Sequence, residues 1–211
     1  MVRFVSFEGG DGTGKTTQIH ALENYLVQQG RACVVTREPG GTSLGKLIRQ
    51  VLLEVSDHDI APSTELFLYL ADRAQHVNEI IRPALAAGKI VLCDRFTDST
   101  LAYQGYGRGI DLELLGQFNN VADGGVQPDL TFLLDCPVAV GLGRTSRRPS
   151  VEGQPREDRF EREKIEFHEK IRAGFLAIAR ADPARFRVVD ASRSADEVAR
   201  EIKRIADQEI S

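Results

Sequence analysis

The chain has 211 residues, 42% of them hydrophobic and 27% charged, enough to bury one full core and most simply forming a single domain over 1–211. A formal charge of −4 argues against a broad nucleic-acid surface, so any affinity for phosphate must be local. No apolar run approaches the ~18 residues of a membrane span and no basic-then-apolar leader opens the chain, which points to a soluble, cytoplasmic protein without a membrane partner.

The first element is an apolar strand pattern from Phe4 to Phe7, closed by Glu8. Gly9, Gly10, Asp11, Gly12, Thr13, Gly14, Lys15 and Thr16 follow and fit GxxxxGK[S/T], a phosphate-binding loop. Ile19, Leu22 and Leu26 then recur at helical spacing, so the loop joins a strand end to a helix start, the context the motif needs. The glycines let the backbone curl and turn successive N–H groups inward, and the helix N-terminus adds partial positive charge. Lys15 is expected to reach the β and γ phosphates and the Thr16 hydroxyl to ligate Mg²⁺, with Thr17 one residue too late. The chain therefore reads as a nucleoside triphosphate binder.

Gly30 stops this helix, and Cys33 to Thr36 form the second strand pattern. Arg37, at its end, suits a bidentate clamp on phosphate or carboxylate, and Pro39, Gly40 and Gly41 form a tight turn beside it. Ser43 to Leu53 carry an apolar helical stripe, and a longer helix is predicted from Thr64 to about Ala86, kinked or restarted at Pro83. In it Tyr69 and Arg73 share one face at i, i+4, a ring and a guanidinium suited to a nucleobase, apart from the Leu66, Leu70, Ala74, Val77 stripe.

After Gly88, Ile90 to Cys93 read as a buried strand ending in Asp94, the layout of a carboxylate that holds Mg²⁺ directly or through water. Arg95 follows at once, a cation suited to a second phosphate group. A helix over Leu112 to about Val121, a strand over Leu130 to Leu134, a helix over about Arg162 to Arg180, a strand over Phe186 to Val189 and a helix over Ala195 to Gln208 complete the pattern. Gly143 to Asp158, basic and proline-containing, read as a short mobile lid whose Arg144, Arg147 and Arg148 are available to stabilise a phosphoryl-transfer transition state. Short apolar strands alternating with helices predict an α/β fold of the P-loop NTPase type. Its five-stranded parallel sheet would carry helices on both faces, with the site along the strands' C-terminal edge. Cys33, Cys93 and Cys136 read as small buried hydrophobes, and the four histidines as surface or core-edge residues.

FEGGDGTGKTT at 7–17, TREPGGT at 36–42, LADRAQ at 70–75, DRF at 94–96 and STLAYQG at 99–105 together resemble the bacterial thymidylate kinases, a likeness that runs from the N-terminus through Asp190. The resemblance implies transfer of the ATP γ-phosphoryl group to dTMP, with Mg²⁺, in a homodimer, and catalytic arginines drawn from the lid, Arg144 and Arg148 before Arg147. It further implies that Asp11 approaches the sugar 3′-hydroxyl, that Arg95 holds the dTMP phosphate, and that Tyr69, where the family usually has Phe, stacks on the base. Arg73 would meet thymine O4, Thr100 and Gln104 the base edge, and Tyr103 the sugar 2′ position, where crowding disfavours a ribose. A guanine-reading switch would carry an NKxD motif, which this sequence lacks. A kinase for another nucleoside monophosphate is the alternative within the same class.

Overall fold

The computed structural model describes residues 2–53, 59–146 and 159–210. Five parallel strands, β1 (Phe4–Glu8), β2 (Cys33–Arg37), β3 (Ile90–Asp94), β4 (Leu130–Asp135) and β5 (Phe186–Asp190), pair in the order β2-β3-β1-β4-β5. Each agrees with its predicted strand and extends it by the one polar residue that ends it. The registers Phe7↔Asp94, Arg37↔Asp94 and Asp135↔Asp190 align the strand ends on one edge. From the central strand β1 the chain first winds to one side and later to the other, so the crevice between the two directions opens beyond the C-terminal end of β1.

Side chains alternate across the sheet and both faces are apolar, as in a sheet covered twice. Val5, Phe7, Leu92, Phe132 and Leu134 pack with Ile19, Leu22 and Leu26 of α1 (Lys15–Gln28) and with Val198, Ile202 and Ile205 of α9 (Ala195–Glu209). On the opposite face Phe4, Val91 and Cys93 meet Val77, Ile81 and Ala84, and Leu133 meets Phe167, Ile171 and Phe175 of α8 (Ile165–Ala181). The α9 entry is sharp because Ser194 and Glu197 form a reciprocal capping box. Cys93 and Cys136 are buried and Cys33 half-buried.

The predicted helix from Thr64 to Ala86 is three segments: α3 (Pro62–His76), a π-helical turn over Val77–Ile81, and α4 (Arg82–Ala86). Pro62 sits in the first turn, where a missing N–H costs nothing, whereas Pro83 would break an α-helical ladder, and the wider turn before it absorbs the mismatch. A helix the sequence pattern does not announce, α5 (Thr97–Thr100), continues into a π-helical stretch over Leu101–Gly107. Thr97, Ser99, Thr100, Gly105 and Gly107 are poor helix formers, and packing of this stretch against α8 overrides that preference. Helix α6 (Leu112–Asp123) follows, capped by the Asp111 side chain. Of the stretch predicted as a lid, Gly143, Arg144 and Thr145 form the last turn of α7 (Val138–Thr145), and 147–158 lie outside the described residues. The predicted helix from Arg162 begins at Ile165, after a turn over 159–163. Helix α2 (Ser43–Leu53) matches its predicted span.

Candidate active site

The phosphate loop is built by backbone that only glycine supplies. Gly9 and Gly12 have φ of 135° and 71°, and a Cβ on either would lie 2.3 Å from the Leu134 carbonyl oxygen or 2.0 Å from that of Gly141. The loop delivers Lys15 as the first residue of α1, with Nζ donating to the carbonyls of Gly9 at 3.1 Å and Gly10 at 2.8 Å. Burial, and after it the Arg95 guanidinium, push the Lys15 ammonium down to about 8. One residue on, the Thr16 hydroxyl donates to Asp94 Oδ2 at 2.9 Å across the β1–β3 junction.

Arg95 follows Asp94 with φ 69°, a left-handed conformation that turns the chain back over the end of β1. Glu8 holds that turn. Its carboxylate accepts the Phe96 backbone N–H at 2.7 Å and the Ser99 hydroxyl at 2.6 Å, and Ser99 in turn accepts from Arg95 at 3.2 Å. Burial, then the Asp98 carboxylate, push Glu8 up to about 8. The Arg95 fork also donates to the Gly9 carbonyl at 3.0 Å, Asp11 Oδ1 at 2.7 Å and the Tyr103 hydroxyl at 3.0 Å, and it lies 4.9 Å from the Tyr103 ring centre. Tyr103 donates its hydroxyl to Asp11 Oδ2 at 3.0 Å, which closes a triangle. Burial alone would raise the Asp11 carboxyl, but Arg95 and Lys15 hold it below its usual range. Arg95 and Tyr103, from one segment, thus join Asp11 of the phosphate loop in one polar cluster.

Arg73 is buried rather than lying on the surface. Its Nε and a terminal nitrogen donate to Glu38 Oε2 at 2.9 and 2.8 Å, the other terminal nitrogen donates to Thr100 Oγ1 and Asn119 Oδ1, and Phe96 lies under the guanidinium. Glu38 also meets His76 Nδ1 at 2.9 Å, while His76 Nε2 meets Thr36 Oγ1 at 2.6 Å. Two histidines read as surface or core-edge residues are therefore buried, His76 in this network and His168 on α8. Polar neighbours twenty or more residues away, invisible to local pattern, account for the difference at His76.

One cleft of about 530 Å³ collects these groups. Asp11, Lys15 and Thr16 line it together with Arg37, Tyr69, Arg73, Asp94, Arg95, Thr100, Tyr103, Gln104 and Arg144. Arg144 lies on α7 and donates to the carbonyls of Ala191 at 2.8 Å and Ser192 at 3.3 Å, so it also ties the loop after β5 to the cleft. Arg147 and Arg148 lie outside the described residues. Glu8 and Glu38 read in the sequence only as polar residues at strand ends, without a role, and Ser99 behind Arg95 carries no signal beyond its place in STLAYQG. Phe160 also lines the cleft, its ring 5.6 Å from that of Tyr103, and a lone aromatic after a polar stretch carries no local signal.

A phosphate loop on one wall of the cleft and, on the other, the partly buried Arg95 fork beside an aromatic pocket fit the class of phosphate-loop kinases. The comparisons narrow the class. A family model described as thymidylate kinase matches residues 7–202, and the chain belongs to that family. It is 54% identical over 196 residues to a thymidylate kinase of Desulfovibrio desulfuricans, covering 92% of this chain and 90% of the relative. Identity to a thymidylate kinase of Geobacter sulfurreducens is 54% over 190 residues, covering 90% and 89%. A crystal structure of thymidylate kinase from Ehrlichia chaffeensis superposes with a TM-score of 0.77 at 36% identity, covering 96% of this chain and 97% of that one.

Proposed function

We propose that the chain carries out its family's reaction with the residues assembled in the cleft, moving the γ-phosphoryl group of ATP to dTMP to give dTDP and ADP on the route to dTTP. The observation that carries this reading is the hydrogen bonding of Arg95 and Tyr103 to Gly9 and Asp11 of the phosphate loop, which supports an acceptor phosphate site beside the donor site. In this reading Gly9 to Thr16 cradle the ATP phosphates and Arg95 holds the dTMP phosphate, with Arg37 at the cleft rim assisting. Asp11 orients the sugar and Tyr103 crowds its 2′ position. Tyr69, Arg73, Thr100 and Gln104 surround the base, and the transition-state charge is met by Lys15 with Arg144 and Arg148.

A hydroxyl and a carboxylate, both hard oxygen donors 2.9 Å apart beside the phosphate loop, fit a Mg²⁺ that keeps most of its ligands as water and phosphate. Thr16 and Asp94 would hold that ion, which neutralises charge on the β and γ oxygens when bound. Among the described residues no group of three or more His, Cys, Asp or Glu stands together as a metal site. A coupled assay of ADP release across thymidine, uridine, cytidine, guanosine and adenosine monophosphates tests the reading, with dTMP expected to be turned over best. Asp94→Asn should raise the Mg²⁺ concentration for half-maximal rate by about tenfold or more. Preference for a different monophosphate would replace dTMP as the acceptor, and an unchanged Mg²⁺ requirement would remove Asp94 from the ion site.

Exposed apolar side chains are concentrated on three packed helices: Leu44, Leu47 and Val51 on α2, Phe67 on α3, and Leu112, Leu114 and Val121 on α6. This supports a homodimer formed through these helices. Light scattering should give twice the 23.3 kDa chain mass, and Val121→Asp, at a position 81% exposed in the protomer, should shift the population toward that single-chain mass. A wild-type protein that runs at the single-chain mass would refute the dimer. No helix among the described residues is long and apolar enough to cross a membrane. Cys33, Cys93 and Cys136 are all free thiols, which supports a reducing, cytoplasmic setting.

A further inference from the structure

Glu65 lies on α3 at i, i+4 and i+8 with Tyr69 and Arg73, and it is fully buried behind the cleft wall. Burying a carboxylate is costly unless it is fully paired, and four donors converge on this one. Gln104 Nε2 donates to Oε1 at 2.9 Å and Arg159 to Oε2 at 2.6 Å, while Arg108 approaches both oxygens at 3.4 and 3.3 Å. Two of these partners reach the cleft. Gln104 lines it directly, and the Arg159 guanidinium lies 4.5 Å from the ring centre of Phe160, which also lines it.

We propose that Glu65 is a positioning residue for pyrimidine choice, anchoring the Gln104 amide nitrogen so that the amide oxygen is the group offered to the acceptor base. The inference rests on reading this end of the cleft as the base pocket. A carboxylate on which two guanidinium groups converge accepts hydrogen bonds, so it dictates which end of the Gln104 amide faces it. Oε1 is then left as an acceptor at the cleft. Thymine and uracil present an N3–H donor, which that oxygen satisfies. Cytosine presents a bare N3 lone pair, which it repels. Holding Arg159, the same carboxylate also steadies the Phe160 wall. In the Glu65→Gln variant an amide takes the place of the carboxylate and can accept or donate equally well, so Gln104 is released to turn over.

The test is kcat/KM for dTMP, dUMP and dCMP with ATP in the wild type, Glu65→Gln, Gln104→Met and the double variant. Glu65→Gln should lose the preference for dTMP over dCMP by about 10- to 100-fold, through the nucleotide KM rather than the ATP KM. The preference for dTMP over dUMP should stay put, because those bases share the same N3 edge. In the Gln104→Met background, Glu65→Gln should cause no further loss of the dTMP over dCMP preference. A merely structural role lowers turnover on all three pyrimidines alike and leaves both ratios unchanged, so an unchanged dTMP to dCMP ratio in the folded variant overturns the proposal. Should Glu65→Gln fail to fold, a crystal of the wild type with dTMP decides. Gln104 bridging Glu65 and N3 supports the assignment, and Gln104 turned away from Glu65 defeats it. Absence of dTMP turnover in the wild type would instead strike at the family reaction itself.

Discussion

Replacing Lys15 with methionine should lower phosphoryl transfer by about 10³-fold, the scale seen when one preorganised charge is taken from a transition state. Methionine keeps most of the buried stem, so the loss reports the ammonium rather than a cavity. The environment of Lys15 adds a second signature. With no phosphate to pair with, the ammonium is pushed down to about 8 by burial and Arg95, while a bound triphosphate favours its charged form. ATP binding at pH 8.5 should therefore take up a proton, measurable by titration calorimetry in two buffers of different ionisation heat. The Lys15→Met variant should show no such uptake. The sign for folding follows from the same displacement: between about 8 and the ordinary lysine value of 10.5, the unfolded chain holds a proton that the folded one has released. The ligand-free protein should thus gain stability from this group as pH rises through that window. Turnover within tenfold of wild type, or proton uptake unchanged by the substitution, would remove Lys15 from its assigned role.

Arg95→Lys should lower kcat/KM for dTMP by about 10³-fold while changing the KM for ATP far less. Charge is conserved, so the prediction rests on shape. The guanidinium spans four acceptors at once, the Gly9 carbonyl, Ser99 Oγ, Asp11 Oδ1 and the Tyr103 hydroxyl, and the compact ammonium of lysine cannot. The cost spreads to Asp11, which relies chiefly on Arg95 and Lys15 to stay ionised in its half-buried position. Steady-state kinetics with each substrate varied in turn, at saturating levels of the other, measures the split. An equal penalty on both substrates would place Arg95 between the sites rather than in the acceptor site.

The strands were legible from local sequence because each is a short apolar run ended by a polar residue, and a strand buried on both faces needs nothing subtler. The phosphate loop was legible for a related reason: its chemistry is carried by contiguous backbone, so the glycines and Lys15 appear side by side. Arg73 was legible as a face partner of Tyr69, but not as a buried group. Its burial depends on Glu38, Thr100 and Asn119, which come from three other segments. The stretch from Thr97 to Gly107 was unreadable as helix because its hydroxylated residues and glycines speak for loop, and only contact with α8 decides otherwise.

What the chain's order of residues settled by itself is the set of features that are local in space: strand and helix patterns, the phosphate-binding backbone and the acid–arginine pair at 94–95. The family likeness follows from these, since its motifs are likewise short and contiguous. Only the fold decided which distant side chains become partners, bringing Asp11, Arg95 and Tyr103 into one triangle and Glu65, Gln104 and Arg159 around one carboxylate. The reason is physical. Backbone geometry and hydrophobic period repeat over a few residues and leave a readable trace. A buried charge is stabilised by whatever donors the packing of separate elements carries to it, and that convergence has no period in the sequence.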